Sequence, residues 1–252
     1  MTDNQVIAVG ELSTAGFPDC YCCGYFRTGP APLCLACAEP ELVRPGPDAC
    51  EICAQRLRPG ASCPNELCRT PRRRIGKIHA IGYQAGPLRR AINSYKYRGS
   101  RDLAVVLGRL LLAWLEQHMV ADPPGLIVVN PSFVGPGAQA FAHTEAVLAA
   151  AAQADAESRW PFDLSTPAAI VKTQPTLKSA DGQAWSKRVS GNELRDVLQV
   201  TEPSRIAGRF VLVYDDVCTT GTQLDAVAGC LLDQGGAARV EAVVLARALW
   251  RG

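Results

Sequence analysis

Apolar positions along this chain recur at two periods, and the places where one period gives way to the other divide it into elements. Residues 102–118 set Leu103, Val106, Leu107, Leu110, Leu111 and Trp114 at helical spacing on one broad face, which predicts a core helix. Pro123-Pro124-Gly125 stops that helix, and the unbroken apolar run 126–129 predicts a short buried strand leading into the turn Asn130-Pro131-Ser132. Before them, residues 78–83 read as a strand and 88–97 as a short basic helix. After them come an Ala-rich helix over 139–153, a strand over 168–172, a strand over 210–214, a helix over 223–234 stopped by Gly235-Gly236, and a strand over 240–245. Strand and helix alternate from 126 onward, the order that yields a mostly parallel sheet flanked by helices, so the fold class is α/β. Residues 173–191 are polar without a hydrophobic period, and a loop of that length in a compact domain tends to be a lid or a binding loop.

The first quarter of the chain has a different chemistry. Nine of the 11 cysteines fall between Cys20 and Cys68, in a stretch broken by Gly29-Pro30, Pro45-Gly46-Pro47 and Pro59-Gly60. It holds too few large aliphatic residues to build a core of its own, so a metal staple is the physical alternative. The expected organisation is a loose tail over 1–19, a cysteine-rich zinc-binding head over 20–70, and the α/β domain over 71–252. Cys20 and Cys23, Cys34 and Cys37, and Cys50 and Cys53 have the separation that lets two thiolates chelate one tetrahedral ion, and Cys63 with Cys68 makes a wider fourth pair. Eight ligands would serve up to two structural Zn2+ sites; which pairs share an ion is left open by spacing.

The N-terminus has no basic start followed by an apolar core, and the longest apolar run, 103–115, is shorter than the ~20 residues a membrane span needs. A cytoplasmic protein without membrane contact is expected, and in that compartment paired cysteines favour metal over disulfides. The net charge of +2 says little, but its distribution says more: ten basic residues and no acid lie between Arg69 and Arg101. With Tyr83, Tyr95 and Tyr97 interspersed, that stretch could grip and stack single-stranded nucleic acid, and it also fits a plainly solvated face.

Candidate chemistry concentrates at Val211-Leu212-Val213-Tyr214-Asp215-Asp216-Val217-Cys218-Thr219-Thr220-Gly221-Thr222, where an apolar strand runs into two acids, a hydroxyl- and Gly-bearing turn, and a helix. A turn at a helix N-terminus offers unpaired N–H groups and a positive dipole end to a phosphate. Thr219, Thr220 and Thr222 add hydroxyls, and Gly221 lets the backbone approach closely. Two adjacent carboxylates would repel a phosphate placed on them, so they suit neutral hydroxyls, such as those of ribose, or a metal nearby.

The segment resembles the phosphoribosyl-diphosphate motif of type I phosphoribosyltransferases. Together with the cysteine pairs and Tyr95-Lys96-Tyr97-Arg98-Gly99, it makes residues 20–249 resemble the ComF family of competence-related, phosphoribosyltransferase-like proteins. The resemblance implies a double zinc ribbon ahead of a Rossmann-like type I phosphoribosyltransferase fold. It also implies that Asp215 and Asp216 hold the ribose hydroxyls of phosphoribosyl diphosphate, that Thr219, Thr220, Gly221 and Thr222 hold its 5-phosphate, and that Mg2+ accompanies it. The expected reaction displaces pyrophosphate with a nitrogen nucleophile on an unidentified nucleobase or amine. Asn130, Pro131 and Ser132 occupy the place where this fold holds pyrophosphate but bring no Arg, which leaves Lys172 and Arg188 as candidate pyrophosphate contacts. The alternative is a non-catalytic nucleotide-metabolite sensor or DNA uptake factor built on the same pocket.

Overall fold

The computed structural model describes residues 42–133, 142–175 and 194–250. The tail over 1–19, Cys20, Cys22, Cys23, Cys34, Cys37, the helix start at 139–141, and residues 176–191 of the expected lid or binding loop, with Arg188, lie outside the described residues.

A short helix α1 (Glu66–Arg69) precedes β1 (Ile78–Tyr83), α2 (Gly86–Tyr97), α3 (Leu103–His118), β2 (Leu126–Val129), α4 (His143–Ala154), β3 (Ile170–Lys172), β4 (Leu198–Val200), β5 (Phe210–Cys218), α5 (Thr222–Asp233) and β6 (Arg239–Arg247). Four strands form one sheet in the order β1-β6-β5-β2, and each of its three pairings is parallel. The architecture is therefore a parallel, Rossmann-like α/β sheet. Beside it, β3 and β4 pair antiparallel, with Ile170 opposite Val200.

Alternation along the strands sorts the core onto two faces. Leu212 and Tyr214 of β5 and Val243 and Leu245 of β6 pack with α2, α3 and α4. Val211 and Val213, with Val240, Ala242 and Val244, face the other way, onto α5, β3, β4, and Cys50, Cys53, Cys63 and Leu67 of the cysteine-rich stretch. Both faces of β5 are buried, which explains an apolar run without alternation. Each such fully buried Val or Leu contributes about 1.5–3 kcal/mol, so the segment leading to the acids is anchored in the best-packed part of the molecule. The Ala-rich composition of α4 has its counterpart in α3, where a Cβ added at Gly108 would stand 2.7 Å from the Ala151 amide nitrogen: the two helices touch backbone to backbone.

Three departures from the sequence expectations are physical. Strand β5 does not stop at 214 but runs through both acids to Cys218, because the ladder with β6 continues over Asp215↔Val244, Val217↔Ala246 and Cys218↔Arg247; partner strands outweigh the low strand preference of Asp. Regular alternation of strand and helix is interrupted by β3 and β4, and β4 has only three residues, too few for its period to be read. The helix expected over 88–97 begins at Gly86 with Pro87 in its first turn, where a missing N–H costs nothing. Among the described residues no helix is long and apolar enough to cross a membrane.

Candidate functional site

Asp215 and Asp216 sit at the carboxyl end of β5, where parallel sheets of this kind take their ligands. Neighbouring elements hold both. Asn130, just past β2, donates from Nδ2 to Asp215 Oδ2 at 2.8 Å, while its own amide donates to the Tyr214 carbonyl at 2.8 Å. Asp215 Oδ1 accepts from the Asp216 amide at 2.8 Å. From α2, Lys96 Nζ reaches Asp216 Oδ2 at 2.6 Å. Burial and then the charge of Asp216 push the Asp215 carboxyl up to about 7, against the opposing pull of Asn130, the Asp216 amide and Lys96. For Lys96, burial alone would lower the ammonium, but Asp216 and Asp215 outweigh it and leave the group above its ordinary value. The site thus holds one firmly charged lysine and, at Asp215, a carboxyl that takes up a proton near neutrality.

The turn that follows has the form expected of it. Gly221 caps α5 with φ +82°, a left-handed conformation open to glycine, and a Cβ there would stand 2.7 Å from Ile78 Cδ1 and 2.9 Å from Leu67 Cδ2. Thr220 Oγ1 and Thr222 Oγ1 lie 3.0 Å apart, and Thr219 is exposed. Cys218 is buried, and burial pushes its thiol up to about 12, which suits a packing role rather than a nucleophile.

Two residues that sequence reasoning passed over hold this turn from behind. Arg247, at the end of β6 and fully buried, donates from Nη1 to the carbonyls of Cys218 at 2.9 Å, Ala248 at 2.9 Å and Thr219, and from Nε to the Cys53 carbonyl at 2.8 Å. Asn65 donates from Nδ2 to the Thr220 carbonyl at 2.8 Å while its Oδ1 caps α1 at Leu67. The sequence signal for Arg247 is a charge that follows the apolar run 242–246 at the end of β6, and Asn65 is marked by lying between two cysteines.

Cys50, Cys53, Cys63 and Cys68 converge, their sulfurs all within 4.8 Å of one another. Cys50 and Cys68 approach to 3.8 Å and Cys53 and Cys63 to 3.7 Å. A tetrahedral zinc site with Zn–S bonds of about 2.3 Å has sulfur–sulfur edges of about 3.8 Å, so the donor set fits that ion. The pairing left open by spacing is thereby resolved for these four: the third and fourth cysteine pairs share one centre. A hydrogen bond from Cys68 lowers the Cys53 thiol, and the same contact raises Cys68.

The remaining candidates distribute as follows. Phe133 and Lys172 form an isolated parallel bridge, which sets the end of β3 beside the turn Asn130-Pro131-Ser132, and burial lowers the Lys172 ammonium. Of the three tyrosines expected to offer stacking faces, Tyr83 and Tyr95 are 0% and 2% exposed and belong to the core, so among them Tyr97, at 77%, presents a ring. His79 pairs with Glu241 at 2.8 Å and His118 stacks on Trp114, both structural contacts. A separate cleft of about 460 Å³ lies at the β1 edge, between Arg44, Glu51, Lys77, His79 and Trp114, away from the acid pair.

Searches of protein-family models and of curated proteins find no match to this chain. Fold and site together define an α/β protein with a parallel, Rossmann-like sheet, the scaffold of many enzymes, and a four-cysteine cluster able to hold a structural zinc ion.

Proposed function

We propose that the chain binds phosphoribosyl diphosphate with Mg2+ and transfers its phosphoribosyl group to a nitrogen nucleophile, releasing pyrophosphate. The observation that carries this reading is the half-buried Asp215 and buried Asp216 near the carboxyl end of a central parallel strand, followed two residues on by a turn with a positive-φ glycine at a helix N-terminus. Hydroxyl-accepting carboxylates and a phosphate-accepting turn lie one after the other, the order in which a ribose 5-phosphate presents its diol and its phosphate. Similarity to the ComF family, stated above on sequence, supports the same assignment.

In this reading Asp215 and Asp216 accept hydrogen bonds from the ribose hydroxyls, and the amides and hydroxyls of Thr219, Thr220, Gly221 and Thr222 hold the 5-phosphate. Among the described residues no third acid joins the pair in a metal-holding group, which is compatible with an ion carried largely by ligand phosphates, as Mg2+ commonly is. That ion would supply charge neutralisation of the leaving pyrophosphate. Lys96 adds a fixed positive charge at the acids, and Lys172 brings a second ammonium, held less firmly charged by burial, beside the turn Asn130-Pro131-Ser132. Catalysis would consist of positioning and charge stabilisation at the anomeric carbon, with the acceptor providing the nucleophile.

Calorimetric titration of the purified chain with phosphoribosyl diphosphate and Mg2+, beside the double variant Asp215→Asn/Asp216→Asn, tests the binding. Affinity in the wild type and none in the variant is expected, followed by pyrophosphate release when the right base is added. Binding without release for any base would turn the reading to a nucleotide-metabolite sensor. Absence of binding by the wild type would remove it.

A further inference from the structure

The four-cysteine cluster, residues 50–68, and the turn 218–222 lie far apart in the chain. Here they share a wall. The carbonyls of Cys218, Thr219 and Thr220, three in succession, are all engaged from the cluster side: Cys218 and Thr219 by Arg247, Thr219 again by Trp250 Nε1 at 3.2 Å, and Thr220 by Asn65 at 2.8 Å. A peptide unit is planar and trans, so its C=O and N–H point in opposite directions. Fixing the carbonyls of residues 218, 219 and 220 therefore fixes the N–H groups of Thr219, Thr220 and Gly221, and turns them away from the cluster. Those amides are the donors assigned above to the 5-phosphate.

The holders in turn depend on the cluster. Arg247 takes its Cys53 carbonyl at 2.8 Å and has Nη2 3.9 Å from Cys53 Sγ. Asn65 and Leu67 belong to the loop between Cys63 and Cys68, and Leu67 is packed where a Cβ on Gly221 would be, 2.9 Å away. A fully buried guanidinium is always charged and is tolerable only with acceptors and compensating negative charge around it. Four thiolates around a divalent ion carry net negative charge; four protonated thiols do not, and they no longer fix residues 50–68 in place.

We infer that Arg247 is a positioning residue that makes phosphate seating at the turn 218–222 conditional on metal in the Cys50, Cys53, Cys63 and Cys68 cluster. The inference rests on the reading of that turn as the phosphate site, and its physical core, metal-dependent ordering of the turn, can be tested with no ligand present. Because coupling between two sites is reciprocal, a phosphate ligand at the turn must also tighten the hold on metal by the same factor.

The first measurement is amide hydrogen exchange on the full chain, zinc-loaded and chelator-stripped, with Arg247→Met in its zinc-loaded form. Exchange in peptides covering 218–225, where the amides of Thr222 and Asp225 donate to Thr220 Oγ1 and to the Gly221 carbonyl, should speed up by about tenfold or more on stripping and in the variant, the factor that goes with losing one net hydrogen bond, while peptides from α3 and α4 stay protected. Should Arg247→Met open α3 and α4 as well, Arg247→Lys decides: one ammonium cannot serve the same set of carbonyls, so the turn should loosen with zinc content equal to wild type. The second measurement is competition for zinc by a chelator with and without phosphoribosyl diphosphate, which should slow zinc loss. Unchanged exchange at 218–225 in the stripped protein, or in an otherwise folded Arg247 variant, overturns the coupling even if phosphoribosyl diphosphate binds. Faster exchange without any binding of that ligand by the loaded wild type upholds the coupling and overturns the ligand assignment instead.

Discussion

Lys96 of α2 and Asp216 of β5 meet at 2.6 Å, joining the basic stretch of the first half of the chain to the acid pair of the second. The lysine is thereby removed from the exposed face where its neighbours Arg89, Arg90 and Arg98 lie, and it becomes the counter-charge of the candidate site. Its side chain is 24% exposed and that of Asp216 10%, so the pair lies between the surface and buried extremes.

Replacing Lys96 by Met should for this reason cost about 1–3 kcal/mol, more than a surface pair and less than a fully buried one. Urea denaturation at pH 8 measures the loss, which should shrink toward pH 5 as Asp215 gains a proton. A loss below a few tenths of a kcal/mol would show the contact to be loose in solution.

Asp215 gives a stability effect of defined sign. Its carboxyl sits at about 7 in the folded protein against an ordinary 3.8, so folding disfavours the ionised form. The cost is absent below the unfolded value and fully present above about 7. Wild type should lose stability relative to Asp215→Asn as pH rises from 5 to 8, with denaturation midpoints of both proteins at each pH giving the difference. A gap that stays constant with pH would place the proton elsewhere.

Gly221→Ala combines two penalties at one position: a left-handed backbone and a Cβ 2.7 Å from Ile78 Cδ1. Together these should cost about 2–5 kcal/mol and weaken phosphoribosyl diphosphate binding in whatever fraction still folds. Denaturation and calorimetry on the same sample separate the two effects.

Metal analysis of the purified chain should find two zinc ions, and Cys63→Ser/Cys68→Ser should lower the count by one. Retention of both ions by that variant would contradict the convergence of Cys50, Cys53, Cys63 and Cys68 on a single centre.

How far these features could be read in the sequence depended on the range of the forces that make them. Helix α3 was legible because Leu103, Val106, Leu107, Leu110, Leu111 and Trp114 carry its period locally, and each of them is buried. The acid pair and its turn were legible because strand, acids, glycine and helix follow one another in the chain. Strand β4 was not, since three residues do not establish an alternation and its stability comes from β3. Lys96 looked like one charge among ten because nothing local distinguishes a lysine that will meet an acid from the other half of the chain. Arg247 was missed for the same reason, its partners being carbonyls, which every residue has.

The sheet order β1-β6-β5-β2 also governs how the molecule can come into being. Its two central strands are the last of the described strands to be synthesised, and the first two, β1 and β2, are opposite edges that do not pair with each other. Until β5 and β6 have left the ribosome, the apolar faces of α3 and α4 have no sheet to cover, and the nascent chain must carry them exposed for seconds at ordinary rates of translation. Long sequence separation between paired strands slows assembly further. A chain that ends before residue 239 would retain β1 without its partner, and should be found with chaperones or in aggregates rather than as a shortened version of the same fold.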